Sequence, residues 1–252
     1  MYRLILQFWN KPITPDITKL DSSFWGLPRV YGDTVKNGRK LIPLIGQPDF
    51  DTSTLPIFDY FHLKTSDSNK LLWERCLLDV HQMDGIYSPS NFCMYVSPKF
   101  KDIIRKYALP AVFGLILSKL KYKGKKIDYY ILNCTIFSTF NDLRYSESTF
   151  QIFNNRLDGK FIADYENKIN NYSDWQSTVL ELRKKQQTIY TKKAVLSKYY
   201  DFFMLYGDVN FYVSERLKKD LEANNITGID FLEVTDREFQ FLETPPPIGN
   251  SL

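Results

Sequence analysis

Carboxylates are the side chains in this sequence whose spacing comes nearest to a catalytic arrangement. Asp49-Phe50-Asp51 offers two carboxylates that could share a hard cation, and Glu166-Asn167-Lys168 has the carboxylate-x-Lys form used by metal-dependent nucleases. More than a hundred residues separate the two motifs, whereas metal-dependent catalysis uses a compact group of ligands. We therefore expect a turn with capping aspartates at the first motif, a solvated charged surface at the second, and no metal site.

The histidines and cysteines form no recognisable reactive group in the sequence. His62 and His81 lie outside any H-E-x-x-H motif and have no local cysteine partner. Cys76, Cys93 and Cys134 are odd in number, never form C-x-x-C and lie in apolar runs, which predicts three reduced, mostly buried thiols in a cytoplasmic protein. Glycine-rich phosphate motifs and the G-x-S-x-G elbow are absent too. We predict no catalytic, cofactor-binding or metal-binding residues, and a protein that is not an enzyme.

The composition excludes a disordered chain and gives no sign of a membrane span. The chain has 252 residues, of which 44% are hydrophobic and 25% charged, as in ordinary folded domains. Its apolar start, residues 1–9, is interrupted by Gln7 and has no small-residue cleavage site after it, so it predicts a first strand rather than a signal peptide. The longest apolar run, residues 108–117, is far shorter than the roughly 20 residues of a membrane span. We expect a cytoplasmic protein without a membrane segment.

Charge is distributed unevenly along the chain, although the formal net charge is only +4. From Lys99 to Lys126 there are nine basic residues against one acid, Asp102. From Glu215 to Glu243 there are eight acids against four bases. The basic middle and the acidic end are therefore the two charged surfaces on which a partner could bind.

Within the basic middle, residues 119–126 interleave one tyrosine with five lysines, as a phosphate-contacting loop would. The candidate nucleic-acid contacts are Lys121, Lys123, Lys125 and Lys126. The alternative, which we favour, is a glycine-containing hairpin whose lysines keep a sheet edge soluble and unpaired. Lysine also lacks the bidentate geometry with which arginine recognises phosphates and bases.

Local patterns predict further elements along the chain. Residues 10–56 contain six prolines and several turn signals, which predicts an irregular covering. Apolar spacing after Ser66-Asp67-Ser68 predicts a helix over about 69–82, and a similar pattern after Ser173-Asp174 predicts another. Aromatic and β-branched residues predict strands at 127–137, 150–153 and 199–205.

An internal echo is the most informative feature of the sequence. Residues 94–104 align with residues 211–221: both begin with an apolar residue and Tyr-Val-Ser, and their apolar positions agree three and seven residues beyond the serine. In each copy an apolar strand ends at a serine that can cap a helix, and Pro98 suits the first turn of the first helix. A second apolar segment follows each helix. The echo therefore predicts two strand–helix–strand units, at about 92–118 and 209–235.

The second unit resembles the C-terminal signature of immunity protein family eleven, from bacterial polymorphic toxin systems. The resemblance lies in residues 212–218 and 226–231. Upstream, the Tyr-rich segment 128–133, followed by Asp142 and Ser146-Glu147, is similar to the middle of that family. Residues 154–198 are longer and more polar than this pattern, and the first 60 residues match nothing in it. The resemblance spans roughly residues 90–235, and it implies a small cytoplasmic protein that binds one toxin domain and blocks it without catalysis.

Together these observations predict an α+β fold with a mixed or mainly antiparallel sheet, two repeated strand–helix–strand units and an irregular N-terminal extension. The expected division is an extension over 1–85, an immunity-like domain over 86–243 and a loose tail over 244–252. The expected partner is a cognate toxin. A homo-oligomer is possible, nucleic acid is the less favoured partner, and no cofactor is expected. The candidate partner-binding residues are Asp142, Arg144, Glu147, Glu233, Asp236 and Glu238.

Overall fold

The computed structural model describes residues 1–6, 29–31, 58–64, 77–84, 91–135, 139–154, 160–205 and 210–249. Its strands are β1 (Tyr2–Leu6), β2 (Arg29–Tyr31), β3 (Phe58–Lys64), β4 (Val80–Asp84), β5 (Asn91–Val96), β6 (Gly114–Tyr122), β7 (Lys125–Thr135), β8 (Thr149–Asn154), β9 (Phe161–Tyr165), β10 (Gln187–Leu196), β11 (Phe202–Met204), β12 (Phe211–Val213), β13 (Ile229–Glu233) and β14 (Glu238–Phe241). The helices are α1 (Pro98–Ile104), α2 (Tyr172–Lys184) and α3 (Glu215–Ala223), with a 3-10 turn at Tyr145–Glu147.

The strands form three sheets. Six strands close a barrel in the order β2-β3-β6-β7-β5-β4, in which the β2-β4 and β3-β6 pairs are parallel. A second sheet has the order β11-β12-β1-β13 and is antiparallel throughout. The third sheet has the order β14-β10-β8-β9, with β10 and β14 parallel. The predicted fold class, α+β with mainly antiparallel pairing, is confirmed.

Both echo units are present, and each has another strand inserted at its centre. In the first unit β5 and β6 are separated by α1, and both pair with β7. In the second unit β12 and β13 are separated by α3, and both pair with β1. Each unit is therefore a split strand–helix–strand motif with an antiparallel strand in the gap.

Local sequence explains where the helices of the two units begin and end. The Ser97 hydroxyl accepts from the Phe100 N–H, with Pro98 in the first turn of α1, and the Ser214 hydroxyl accepts from the Leu217 N–H at the start of α3. After α3 the backbone turns through a left-handed residue at Asn225. The helix starts and strand ends of both units thus follow from signals within about a dozen residues.

The two units share one hydrophobic core, since side chains from both belong to the same buried cluster. This cluster includes Val96, Phe100 and Ile104 from the first unit and Val213, Leu217 and Leu221 from the second. A second cluster lies between α2 and the third sheet, with Trp175 packed 4.9 Å (ring centroids) from Phe150. The two strand–helix–strand units are therefore packed as one body rather than as independent repeats.

The predicted strands at the start of the chain, at 127–137, 150–153 and 199–205, and the helix after Ser173-Asp174 are confirmed as β1, β7, β8, β11 and α2. The last part of the predicted helix over 69–82 is wrong, because Val80–Asp84 is β4, and residues 69–76 lie outside the described residues. Val80 pairs with Val96 and His81 with Tyr95, so long-range pairing overrides the local helical spacing. Strands β2, β3, β9, β10 and β14 were not predicted.

The N-terminal and C-terminal segments both make hydrogen bonds with the rest of the protein. β1 is a central strand of the second sheet, and β2, the described part of residues 10–56, belongs to the barrel. Near the C-terminus, the Pro246 carbonyl accepts from Arg216, and the Gly249 N–H donates to the Lys106 carbonyl. The predicted division at residues 85 and 243 stays a prediction. Among the described residues, no helix combines the length and apolar character needed to cross a bilayer.

Candidate functional site

A buried carboxylate, Asp201, lies immediately before β11 and joins the two units. Its side chain is fully buried and accepts hydrogen bonds from the Ser214 hydroxyl (2.6 Å) and from Nε and Nη2 of Arg216 (2.6 Å each). The Ala108 N–H, in the loop after α1, donates to the same carboxylate over 3.0 Å, and the Tyr199 hydroxyl does so over 3.2 Å. Asp201 therefore fixes the start of α3 to the loop that follows α1.

Asp79 has the corresponding place in the first unit, immediately before β4. It accepts from the Ser97 hydroxyl (2.7 Å) at the start of α1. It also accepts from the Thr227 N–H and hydroxyl (3.0 Å each), in the loop that follows α3. Each aspartate thus binds the capping serine of its own unit and the helix-end loop of the other unit.

A surface cleft of about 410 Å³ opens beside the Asp201 cluster, where the loop after α1 meets the segment before β11. Its apolar lining includes Leu109, Phe113, Leu115 and Leu132, and Tyr199 and Tyr200 form one wall. Arg105, Lys198 and Glu243 add charged side chains to the lining. A cleft with an apolar floor and a few charged groups is suited to hold an apolar or aromatic side chain.

Asp142, a residue predicted to contact the partner, lies beside this cleft and binds two of the residues that line it. Its side chain is 13% exposed, and it accepts from the Tyr200 hydroxyl (2.6 Å) and the Ser197 hydroxyl (3.1 Å), with Lys198 Nζ at 3.7 Å. Burial, and then the hydrogen bond to Asp142, raise the pKa of Tyr200. Tyr200 therefore stays a neutral hydrogen-bond donor, and Asp142 positions two residues of the cleft.

The neighbouring candidates Arg144 and Glu147 are exposed on the 3-10 turn beside β10. The Arg144 N–H donates to the Val195 carbonyl (2.8 Å), and the Glu147 N–H donates to the Arg144 carbonyl (3.1 Å). Backbone bonds thus hold the turn, which leaves both charged side chains at the surface on one side of β10.

The three acidic candidates near the C-terminus are exposed, but they are not grouped on one strand. Glu233 ends β13, and Glu238 lies opposite Lys193 on the other side of β10 from the Arg144 turn. Asp236 forms an ion pair with Arg3 (2.5 Å). Burial raises the pKa of Asp236, but its hydrogen bond with Arg3 and the nearby arginine charges lower that pKa overall. Asp236 is thus already engaged within the protein.

The basic segment forms the predicted glycine-containing hairpin. Lys123 and Gly124 both have positive φ values (47° and 75°), as the two central residues of a type I′ turn require. Lys121, Lys125 and Lys126 are exposed around this turn, as is Lys123. The expectation of an unpaired edge is wrong for β6, because β3 pairs with it through Phe61 opposite Leu120 and His62 opposite Lys121.

Groups with reactive potential serve structural purposes where the structure describes them. Buried His81 accepts from the Leu78 N–H at Nε2 (3.1 Å). Cys93 and Cys134 are free thiols, and burial raises the pKa of both, that of Cys93 to about 12. Glu166 and Lys168 are exposed, as expected. Asp49, Asp51, Cys76 and the His62 side chain lie outside the description, and the described residues hold no group of three potential metal ligands.

Sequence reasoning missed the cleft, although it identified Asp142. The cleft is built from the loop after α1 and from the segment 198–200, of which the sequence predicts only that a strand begins near residue 199. A usable signal was present: in both halves an aspartate precedes the pair of strands that leads to the capping serine, 18 residues before Ser97 and 13 before Ser214. Because the two spacings differ, the aspartates do not align when residues 94–104 are matched with residues 211–221.

Compared with protein-family models, with curated protein sequences and with solved structures, the chain matches none.

Proposed function

We propose that this protein is a cytoplasmic immunity protein that binds one bacterial toxin domain stoichiometrically and blocks it, without catalysis. The observation that supports this proposal is the cleft, which offers an apolar floor, two tyrosines and charged residues for an anchoring side chain. The sequence resemblance to immunity protein family eleven points to the same function. An anchor buried in a pocket and surrounded by polar contacts is a common way for protein interfaces to gain affinity.

The charged residues around the cleft would set association rate and selectivity in this proposal. Arg105 and Lys198 supply positive charge and Glu243 negative charge. Arg144 and Glu147 add exposed charges beside β10, the strand that leads to the cleft. Complementary charges on the toxin would accelerate encounter and disfavour wrong partners, whereas the apolar anchor would set the dissociation rate.

A pair of neighbouring substitutions tests the role of the cleft. Ala111 is exposed and lines the cleft, whereas Val112 is exposed but does not line it. A partner captured from the native host at high salt would be purified, and its inhibition and affinity measured by activity assay and calorimetry. We expect Ala111→Trp to weaken binding at least about tenfold, which is about 1.4 kcal/mol, and Val112→Trp to leave it unchanged. Equal effects of the two variants would exclude the cleft, and a captured protein that this chain does not inhibit would exclude the immunity function.

The lysine hairpin supports a second candidate function, binding of nucleic acid. Lys121, Lys123, Lys125 and Lys126 are exposed around one tight turn. Phosphate contacts made by these lysines would lose affinity steeply with salt. Fluorescence anisotropy with single-stranded and duplex oligonucleotides over a salt series tests this function: a steep slope that Lys123→Glu reduces by about one unit would support it.

A further inference from the structure

The proline-rich segment after β14 contacts the rest of the protein at every third residue, and we call residues 243–249 the proline strap. Glu243 lines the cleft. The Pro246 carbonyl accepts from Nη1 of Arg216 over 2.6 Å, and the Gly249 N–H donates to the loop after α1 over 2.9 Å. Contacts that recur every three residues are typical of a polyproline II helix, which has three residues per turn.

Three consecutive prolines, Pro245, Pro246 and Pro247, explain this conformation. Each pyrrolidine ring fixes φ at about −65°, and each proline restricts the residue before it to extended backbone. Covalent geometry therefore sets the extended conformation of residues 244–246, and a polyproline II helix needs no internal hydrogen bonds. At Gly249 the φ value is 100°, a left-handed conformation that ends the strap. The strap is thus ordered before any partner binds.

One edge of the proline strap faces the protein, and the other two edges face solvent. Pro246, in the middle of the inner edge, is partly buried. Thr244, Pro245 and Pro247 are exposed, and Ile248 is 52% exposed. Because residues three apart share an edge, Thr244 and Pro247 form one outer edge, and Pro245 and Ile248 form the other. The strap therefore presents two proline rings and an isoleucine to solvent on adjacent edges.

We propose that the proline strap is a docking site for a partner protein whose groove is lined by aromatic side chains. A strand of another chain cannot pair along residues 245–247, because proline has no backbone N–H. A helix is excluded as well, since proline rings inside a helix clash with the preceding turn. Aromatic rings that pack against exposed proline rings instead recognise a polyproline II segment in its existing conformation. Because the strap is already ordered, its binding costs little conformational entropy.

The charges beside the proline strap set the direction in which this partner binds. Exposed Glu243 lies at the start of the strap, and at its end the Gly249 N–H donates to the carbonyl of exposed Lys106. A groove with a basic group at one end and an acidic group at the other matches these charges in one direction only. The expected partner therefore has an aromatic groove with opposite charges at its two ends.

Two neighbouring prolines supply a matched pair of variants. Pro247 is exposed, whereas Pro246 is partly buried, and an alanine in its place keeps the carbonyl that binds Arg216. Each Pro→Ala substitution removes one ring and relaxes the backbone to a similar degree. The unaltered chain and the two variants would each capture proteins from a lysate of the native host. The affinity of a captured protein for the three chains would then be measured by calorimetry.

We expect a protein that the unaltered chain and Pro246→Ala both retain. Pro247→Ala should bind it at least about tenfold more weakly, a difference of about 1.4 kcal/mol. Equal losses for the two variants would show that the outer proline ring is not recognised, and would overturn the proposal. A lysate in which no captured protein distinguishes Pro247→Ala from Pro246→Ala would overturn it too.

A synthetic peptide with the sequence of residues 243–249 tests the groove of the partner. The peptide should displace the captured protein from the full chain, because the strap supplies the contacts. It contains no aromatic residue, so a change in aromatic fluorescence on its addition comes from the partner. A captured protein that the peptide does not displace, or whose fluorescence stays constant, would contradict an aromatic groove.

The cleft variant Ala111→Trp separates this partner from a toxin. Ala111 lines the cleft and is not part of the strap, so we expect Ala111→Trp to leave the affinity for the strap partner unchanged. A captured protein that Ala111→Trp and Pro247→Ala weaken equally would be a ligand of the cleft, and would contradict a separate partner for the strap. The measurements with the two prolines need no toxin, so their outcome is independent of the proposed function.

Discussion

The two strand–helix–strand units have the same architecture but are held together by different chemistry. Together with its neighbouring strands, the first unit gives the order β4-β5-β7-β6 within the barrel, and the second unit gives the matching order β11-β12-β1-β13 in the second sheet. Asp79 precedes β4 and Asp201 precedes β11, the strands that come before the two units, and each aspartate binds a helix-capping serine. The common plan extends beyond the echoed residues to the order of the strands and the position of one carboxylate.

The difference lies in what neutralises the carboxylate. Arg216, two residues after Ser214, binds Asp201 through two nitrogens. Lys99, two residues after Ser97, is exposed, and Asp79 is bound instead by the neutral groups of Thr227. The Asp201 ion pair lies beside the cleft, and Arg216 also packs over the ring of Tyr199, which lines it. A common backbone plan therefore tolerates either solution, and the charged one is found where the cleft is formed.

The comparison is tested most strongly by converting each aspartate to asparagine. Asp201→Asn leaves Arg216 without its counter-charge in a site where the carboxylate was fully buried, so we expect a loss of about 3 kcal/mol in unfolding free energy. Asp79→Asn disturbs hydrogen bonds with neutral groups, and we expect a loss of about 1 to 2 kcal/mol. Urea unfolding at neutral pH, with unchanged m values, measures both.

Double-mutant cycles separate the ion pair from general damage to the two sites. Asp201→Asn combined with Arg216→Ala should show a coupling energy of about 1 kcal/mol or more. Asp79→Asn combined with Lys99→Ala should be additive within about 0.5 kcal/mol. Equal losses for the two aspartates, together with equal couplings, would show that the two units are stabilised in the same way.

The parts of the fold that sequence could predict are those with local causes. The serine caps, Pro98 and the apolar strands of both units lie within short segments, and their pattern predicted the units correctly. β4 was missed as a strand because its pairing with β5 decides its conformation, against a helical spacing of apolar residues. The Asp79–Thr227 contact joins residues 148 positions apart, and no local pattern reports such a contact. The cleft depends on the same kind of long-range meeting, so Asp142 was found without its role.

Two glycine-containing turns, one after α3 and one between β6 and β7, supply a second test. Gly228 and Gly124 both have positive φ values, 92° and 75°. A Cβ at Gly228 would lie 2.0 Å from the Val80 carbonyl oxygen, where unit two meets unit one, whereas a Cβ at Gly124 would meet open space. We expect Gly124→Ala to cost about 1 kcal/mol from the left-handed backbone alone. Gly228→Ala should cost about 3 kcal/mol, because the steric conflict adds to that strain and displaces the loop that binds Asp79 and Val80.

Thermal unfolding of both glycine variants, with circular dichroism at two wavelengths, measures these losses. Similar losses for Gly124→Ala and Gly228→Ala would mean that the loop after α3 shifts without cost, and that the junction between the units is not close-packed at Val80.

The smallest expected effect concerns Tyr107, which follows α1 and donates to Asp220 of α3 (3.0 Å), as Asn224 also does (2.8 Å). Burial first, and then the hydrogen bond to Asp220, raise the pKa of Tyr107 from 10.0 to about 12. Below pH 10 we expect Tyr107→Phe to cost about 1 kcal/mol through the lost hydrogen bond. Above pH 10 this tyrosine ionises in the unfolded chain but stays neutral in the folded chain. The wild type therefore loses stability relative to the variant, by about 1.4 kcal/mol per pH unit until about pH 12. Other tyrosines are common to both proteins and cancel in the difference. Urea unfolding from pH 8 to 12 should therefore show the variant as the less stable protein at pH 8 and as the more stable protein near pH 12. If the difference in unfolding free energy stays constant across this range, Tyr107 is not held neutral between the two units.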